Sequence, residues 1–172
     1  MVLATHQIRI NEYTITVGLG ELVVTREPKA TLACFGLGSC ICLCAYDPIL
    51  KVSGMVHIVL PQSKNGLNER SATKYADVAV PVLFDEMEKC GGTRSNFRIK
   101  VAGGAKMIKS FEKNDPFDMG NRNFDMVRTL LTQQKLRISG SDTGGNQGRS
   151  VWMMADTGKV LVRKAGEETR EI

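Results

Sequence analysis

The sequence predicts an α+β fold in one domain spanning residues 1–172. Three observations lead there. Short apolar runs of strand-like composition recur along the chain. Two longer stretches have helical periodicity. The two kinds of segment do not alternate as regular βαβ units. A chain of 172 residues is long enough for one substantial core. Its 42% hydrophobic and 24% charged content is ordinary for a soluble globular protein.

Residues 1–16 read as an N-terminal extension or strand, with Ile8, Ile10 and Tyr13 in alternation. Gly18-Leu19-Gly20 is a break. It precedes a strand rather than a helix, so it is no dinucleotide fingerprint. Residues 22–25 form a strand ended by Glu27-Pro28, and 30–35 a further strand leading into Gly36-Leu37-Gly38-Ser39-Cys40. Residues 41–46 are apolar and free of Gly and Pro, which marks a buried strand. Asp47-Pro48 supplies turn chemistry, and 52–60 is a second apolar run. Residues 62–70 are a polar loop around Asn65-Gly66, either one wall of a substrate cleft or a plain connection.

Residues 71–90 form the first helix, with Ser71 as N-cap and Gly91-Gly92 ending it. Tyr75, Val78, Ala79, Val82 and Glu86 track one face, with Leu83 and Met87 beside it. Pro81 lies inside, at an ordinary cost of ~3 kcal/mol, and predicts a kink or a break. Residues 97–102 form a strand. The Gly103-Gly104 doublet after it either lets a backbone approach the active site closely or is only a tight strand exit. Residues 106–118 read as irregular. The second helix starts near Asn121, with Phe124, Val127, Leu130 and Leu131 on one side. Residues 136–139 form a strand and 142–149 a polar, glycine-rich loop. That loop lacks the Gly-Lys-Ser/Thr ending of a phosphate loop, which excludes nucleotide binding there. Residues 150–155 and 159–164 form a hairpin around Asp156-Thr157-Gly158, and 166–172 is a charged tail expected to fray.

The chemistry gathers at Cys40. If 41–46 and 52–60 pair as a hairpin centred between Pro48 and Ile49, Cys40 falls opposite His57. Opposed residues share a face with Cβ atoms about 5 Å apart, within reach of a thiol–imidazole hydrogen bond. That is nucleophile–base geometry. His6 is the only other histidine. The bend at Gly36 and Gly38 can bring backbone N–H groups of Gly38, Ser39 and Cys40 together to hold a thiolate or an oxyanion. The alternative is that Cys40 is a small core residue and His57 a satisfied core histidine. Cys40, Cys42 and Cys44 alternate onto one face, but no second Cys/His cluster completes a tetrahedral metal set, so no metal is expected.

Gly36-Leu37-Gly38-Ser39-Cys40, Tyr46-Asp47-Pro48 and Gly54-Met55-Val56-His57-Ile58-Val59-Leu60-Pro61 resemble the CheD family, the chemoreceptor glutamine deamidases. The likeness continues through Lys74-Tyr75-Ala76-Asp77, Ala102-Gly103-Gly104-Ala105, Asp142-Thr143-Gly144-Gly145-Asn146 and the stretch from Gly158 to Lys164. The resemblance implies two packed β layers with the helices covering one side. It implies Cys40 as nucleophile, His57 as catalytic histidine, and a protein-glutamine glutaminase that works through a thioester without a cofactor. Its substrate would be the cytoplasmic helices of chemotaxis receptors, and a CheC-type phosphatase of CheY a further partner. The family's third member is a threonine that orients the histidine. Here the position six before Cys40 is Cys34, and the nearest upstream threonine is Thr31. Either Cys34 orients His57 poorly, or Thr31 is brought in by a bulge, or a backbone carbonyl takes over. Chemistry alone would also permit a peptidase, a transglutaminase-like enzyme or a methylesterase. An adaptor that binds CheC with little catalysis, and a redox protein pairing Cys40 with Cys34, are the rival readings.

The formal charge is +5, and the basic residues are scattered without interleaved aromatics, which argues against nucleic acid. No basic n-region precedes an apolar core, and no apolar run reaches the ~18 residues of a spanning helix. The expected location is the cytoplasm, with five free thiols and no membrane insertion.

Overall fold

The computed structural model describes residues 13–63, 72–107 and 118–172. In chain order these contain β1 (Thr14–Thr16), β2 (Leu22–Thr25), β3 (Thr31–Leu37), β4 (Ile41–Asp47), β5 (Val52–Ile58), α1 (Ala76–Lys89), β6 (Arg98–Gly103), α2 (Met119–Gln133), β7 (Ile138–Thr143), β8 (Arg149–Met154), β9 (Val160–Lys164) and β10 (Arg170–Glu171). They form two five-stranded sheets, β1-β3-β8-β9-β10 and β2-β5-β4-β6-β7. Both sheets are mixed: β1 runs parallel to β3 and β7 parallel to β6, while the remaining pairs are antiparallel. The fold is α+β, as the sequence pattern predicts.

Strand β4 explains the layering. Ile41, Leu43 and Ala45 face the helices and pack with Val80, Leu83, Phe84 and Val127. Cys42, Cys44 and Tyr46 face the other sheet and pack with Leu32, Val151 and Val160. Covered on both faces, the strand is a continuous apolar run instead of an alternating one. Full burial of side chains such as Leu83 and Phe84 on α1 contributes roughly 1.5–3 kcal/mol each. Helix α1 can lie this close because β5 carries Gly54 beneath it. A Cβ there would sit 2.7 Å from Met87 Sδ and 2.8 Å from Leu83 Cδ1.

Some elements depart from expectation. Ser71, expected to cap the first helix, lies outside the described residues, as do 7–12, most of the 62–70 loop and most of 106–118. Helix α1 itself begins at Ala76, after a 3-10 turn at Ala72–Lys74. The extension of β5 serves as its cap. Leu60 accepts from Ala76 N–H at 2.9 Å, and Lys74 accepts from Val59 and Leu60 N–H at 2.8 and 3.0 Å. The helix runs through Pro81 without a break, so of the kink or break expected there the break does not occur. Helix α2 begins at Met119, two residues early, because Asp118 caps it by accepting from Asn121 N–H at 3.2 Å. Asp142 and Thr143 belong to β7 rather than to a loop. The tail at 166–172 does not fray as expected. Arg170 and Glu171 pair with β9, Ile172 N–H donates to Val160 at 3.1 Å, and Arg170 bonds the buried Asp142. A buried carboxylate recruits a cation, and that contact orders the end of the chain.

Candidate active site

The β4–β5 hairpin brings the sequence's two key residues to the same face, in a register different from the expected one. His57 pairs with Cys42, not with Cys40, and Asp47 pairs with Val52. The connection is four residues long, with Lys51 in the left-handed region at φ 55° and its N–H bonded to the Asp47 carbonyl at 2.9 Å. Asp47 Oδ1 accepts from the N–H groups of Ile49 and Leu50, fixing the turn. The centre therefore moves by one residue and each partner by two. A two-residue shift preserves the face, so Cys40, Cys42 and His57 still point the same way, toward the space between the sheets.

Cys40 is half-buried just before β4, whereas Cys34, Cys42 and Cys44 are buried and Cys90 is exposed. The bend that carries it is held from one side by its carbonyls. Gly38 accepts from Ala105 N–H and Cys40 from Gly104 N–H, each at 2.8 Å, and Ser39 accepts from Asn123 Nδ2 at 2.9 Å. The glycine doublet at the end of β6 is thus a close backbone approach. Gly103 has φ 116°, and a Cβ on it would lie 2.1 Å from the Cys40 carbonyl oxygen. Only glycine fits there. In a planar trans peptide the N–H points opposite to the C=O. With the Gly38 and Ser39 carbonyls committed, the N–H groups of Ser39 and Cys40 point away from those anchors.

His57 is 3% exposed, and its Nδ1 lies 3.2 Å from the Val17 carbonyl. A carbonyl can only accept, so Nδ1 carries the proton and the lone pair of the neutral ring sits on Nε2. Nε2 is buried and makes no hydrogen bond among the described residues. Burial pushes the imidazole down. The thiols of Cys34 and Cys40 and the Val17 carbonyl outweigh it and raise His57 to about 10. The neighbouring thiol of Cys42, followed by His57, holds Cys34 down to about 6 against its burial. Burial raises Cys42 well above an ordinary thiol.

Of the two candidate orienters of His57, Cys34 reaches the site: its Sγ lies 3.5 Å from the Val17 carbonyl and 3.6 Å from Met55 Sδ. Thr31 opens β3, paired with Thr14 and Met154. It stands an odd number of residues from Cys34 and so faces the other way. The bond at Nδ1 is made by the Val17 carbonyl, the backbone option among the three.

A buried ion cluster braces the bend from below. Arg149, 2% exposed, bonds the carboxylate and carbonyl of Asp142 and the carbonyl of Gly144, and Arg170 and Lys164 also reach Asp142. The loop so fixed supports the glycine doublet: Gly144 N–H donates to Gly103 at 3.0 Å and Lys106 N–H to Gly145 at 2.8 Å. Sequence reasoning missed Val17, Asn123 and Arg149. A backbone carbonyl leaves no mark in a sequence. Asn123 did leave one, since it shares the buried stripe of α2 with Gly120, Val127 and Leu131.

A sequence model of the family described as CheD chemotactic sensory transduction matches residues 59–164. A protein of Symbiobacterium thermophilum named probable chemoreceptor glutamine deamidase CheD is 40% identical over 157 residues, 91% of this chain and 95% of that one. A Clostridium novyi protein of the same name is 39% identical over 163 residues, 95% of this chain and 100% of that one. The crystal structure of Bacillus licheniformis hypothetical protein YfiH aligns with a TM-score of 0.47 at 13% identity, covering 73% of this chain and 51% of that one.

Proposed function

Because this chain belongs to the CheD family and its relatives are named probable chemoreceptor glutamine deamidases, we propose that it converts receptor glutamines to glutamate with Cys40 as nucleophile and His57 as its base. One observation carries the assignment of roles. His57 has Nδ1 committed to the Val17 carbonyl and Nε2 buried with no hydrogen bond among the described residues, and of the two thiols that bear on its basicity, Cys34 and Cys40, Cys40 alone is half-exposed. Cys34 is fully buried, so it has no route to a protein substrate.

In the proposed cycle, His57 Nε2 already holds the proton taken from the Cys40 thiol when Sγ attacks the side-chain carboxamide carbon. The N–H groups of Ser39 and Cys40 receive the developing oxyanion. The imidazolium returns the proton to the departing nitrogen, and ammonia leaves. Water, deprotonated by the same Nε2, then attacks the thioester and releases glutamate and the free thiol. The Val17 carbonyl keeps the ring in the required tautomer throughout, the role proposed for it in place of a side-chain third member. The raised basicity of His57 favours its protonated state as the thiol ionises. The setting proposed is the cytoplasm, with receptor cytoplasmic helices as substrate and a CheC-type phosphatase as a further partner. No described helix is long and apolar enough to cross a membrane.

Incubating the protein with a receptor cytoplasmic fragment tests the reaction. Each converted glutamine adds about 1 Da, the difference between NH₂ and OH in the hydrolysis above. Fragment mass spectra should place the gain on glutamine side chains, with the peptide backbone intact. Backbone cleavage, or no gain on any glutamine, would contradict the proposal.

A further inference from the structure

We infer that Asn123 is a positioning residue of the deamidase, aiming the Cys40 N–H at the oxyanion and locking the nucleophile bend to the end of the histidine strand. The inference rests on the proposed roles of Cys40 and His57. Asn123 is fully buried on α2. Its Nδ2 donates to the Ser39 carbonyl and to the Val59 carbonyl, each at 2.9 Å. Both partners are acceptors, so the amide can face them only with its nitrogen, and both of its N–H donors are spent there. Ser39 immediately precedes Cys40, and Val59 lies one residue beyond the end of β5, which carries His57.

The consequence follows from peptide geometry. The Ser39 carbonyl and the Cys40 N–H belong to one planar trans unit and point in opposite directions. Holding the carbonyl from α2 fixes the direction of the N–H on the other side, where the oxyanion forms. The second bond sets the height of the histidine strand against the same anchor. One side chain thus spaces nucleophile, base and oxyanion donor, where misplacement is felt in the transition state more than in substrate binding. Asn123 Oδ1 is buried and unpartnered among the described residues. An apolar residue would remove that cost, so what the asparagine contributes is its two N–H bonds.

The test compares Asn123→Ala and the equal-sized Asn123→Asp, which lacks the NH₂ donor, with wild type on a receptor cytoplasmic fragment. Alkylation of Cys40 by iodoacetamide is followed in the same samples. Loss of an aimed oxyanion donor predicts a fall in kcat of roughly 10²–10³-fold in Asn123→Ala, with KM within about twofold. Alkylation uses no oxyanion and feels only the Cys40–His57 spacing, so its rate at Cys40 should fall by about tenfold at most, well short of the loss in kcat. Asn123→Asp fills the site without a cavity but turns a carboxyl oxygen toward the Ser39 and Val59 carbonyls, so it repels where Asn123 donates and should lose at least as much kcat as Asn123→Ala. Wild-type kcat in either variant would overturn the inference. So would kcat and alkylation falling in proportion, the mark of a merely structural residue. Cys40→Ala is run beside them. Its inactivity confines such a failure to Asn123, whereas its full activity would overturn the inference together with the reading beneath it.

Discussion

Cys40→Ala is expected to lose receptor deamidation by about 10⁴-fold or more, and His57→Ala to lose nearly as much. Removing Sγ takes away the bond-forming atom, and what remains is substrate binding plus the backbone donors. Removing the imidazole leaves a neutral thiol and a poor leaving group. Because the two act in one proton-transfer unit, the double variant should be barely slower than either single variant. Cys40 is half-buried at the mouth of the bend, so its truncation should leave the melting temperature nearly unchanged. His57 is buried against Val17, and its truncation strands that carbonyl, at a cost of about 1–3 kcal/mol. Steady-state rates beside thermal melts check both expectations. Losses that multiply in the double variant would show two independent contributions and contradict a shared role.

The second large effect is expected far from the thiol. Arg149→Met leaves Asp142 in a buried position without its main partner. Breaking such a pair by removing one member costs about 3–5 kcal/mol. Arg170 and Lys164 still reach the carboxylate, which places the expected loss near the lower end of that range. For a chain of this size, roughly 3 kcal/mol lowers the melting temperature by about 6–12 °C. Activity should fall as well, since Arg149 holds the loop that supports Gly103 beneath the Cys40 carbonyl. Urea unfolding gives the free energy directly. A loss under about 1 kcal/mol would mean that the cluster is solvated and not a brace.

The fold was legible where periodicity is a direct record of burial. Residues 41–46 read as a buried strand because nothing polar interrupts them, and the hairpin near Gly158 was announced by its turn residues. Placement failed where local geometry has no residue signature. Lys51 in a left-handed conformation recentred the β4–β5 hairpin, and no propensity rule expects lysine there. The tail at 166–172 read as solvated because its charges were counted without the buried Asp142 that Arg170 meets. At the site, cysteine, histidine and glycines are visible as letters, so Cys40, His57 and the two glycine motifs were found together. The group on His57 Nδ1 is the main chain of Val17, which any residue could supply. Asn123 was passed over because a polar residue near a helix start reads as solvated, although its spacing from Val127 and Leu131 put it on the buried stripe.

The central claim is that Cys40, not the neighbouring Cys34, forms the bond to substrate. A receptor-helix peptide with a diazoketone in place of the target glutamine tests it most directly, because attack by the nucleophilic sulfur expels nitrogen and leaves a stable thioether. Fragment-ion sequencing of the labelled protein should place a single adduct on Cys40, and the Cys40→Ala protein should take up none. An adduct on Cys34 in the wild-type protein, or undiminished labelling of Cys40→Ala, would contradict the account.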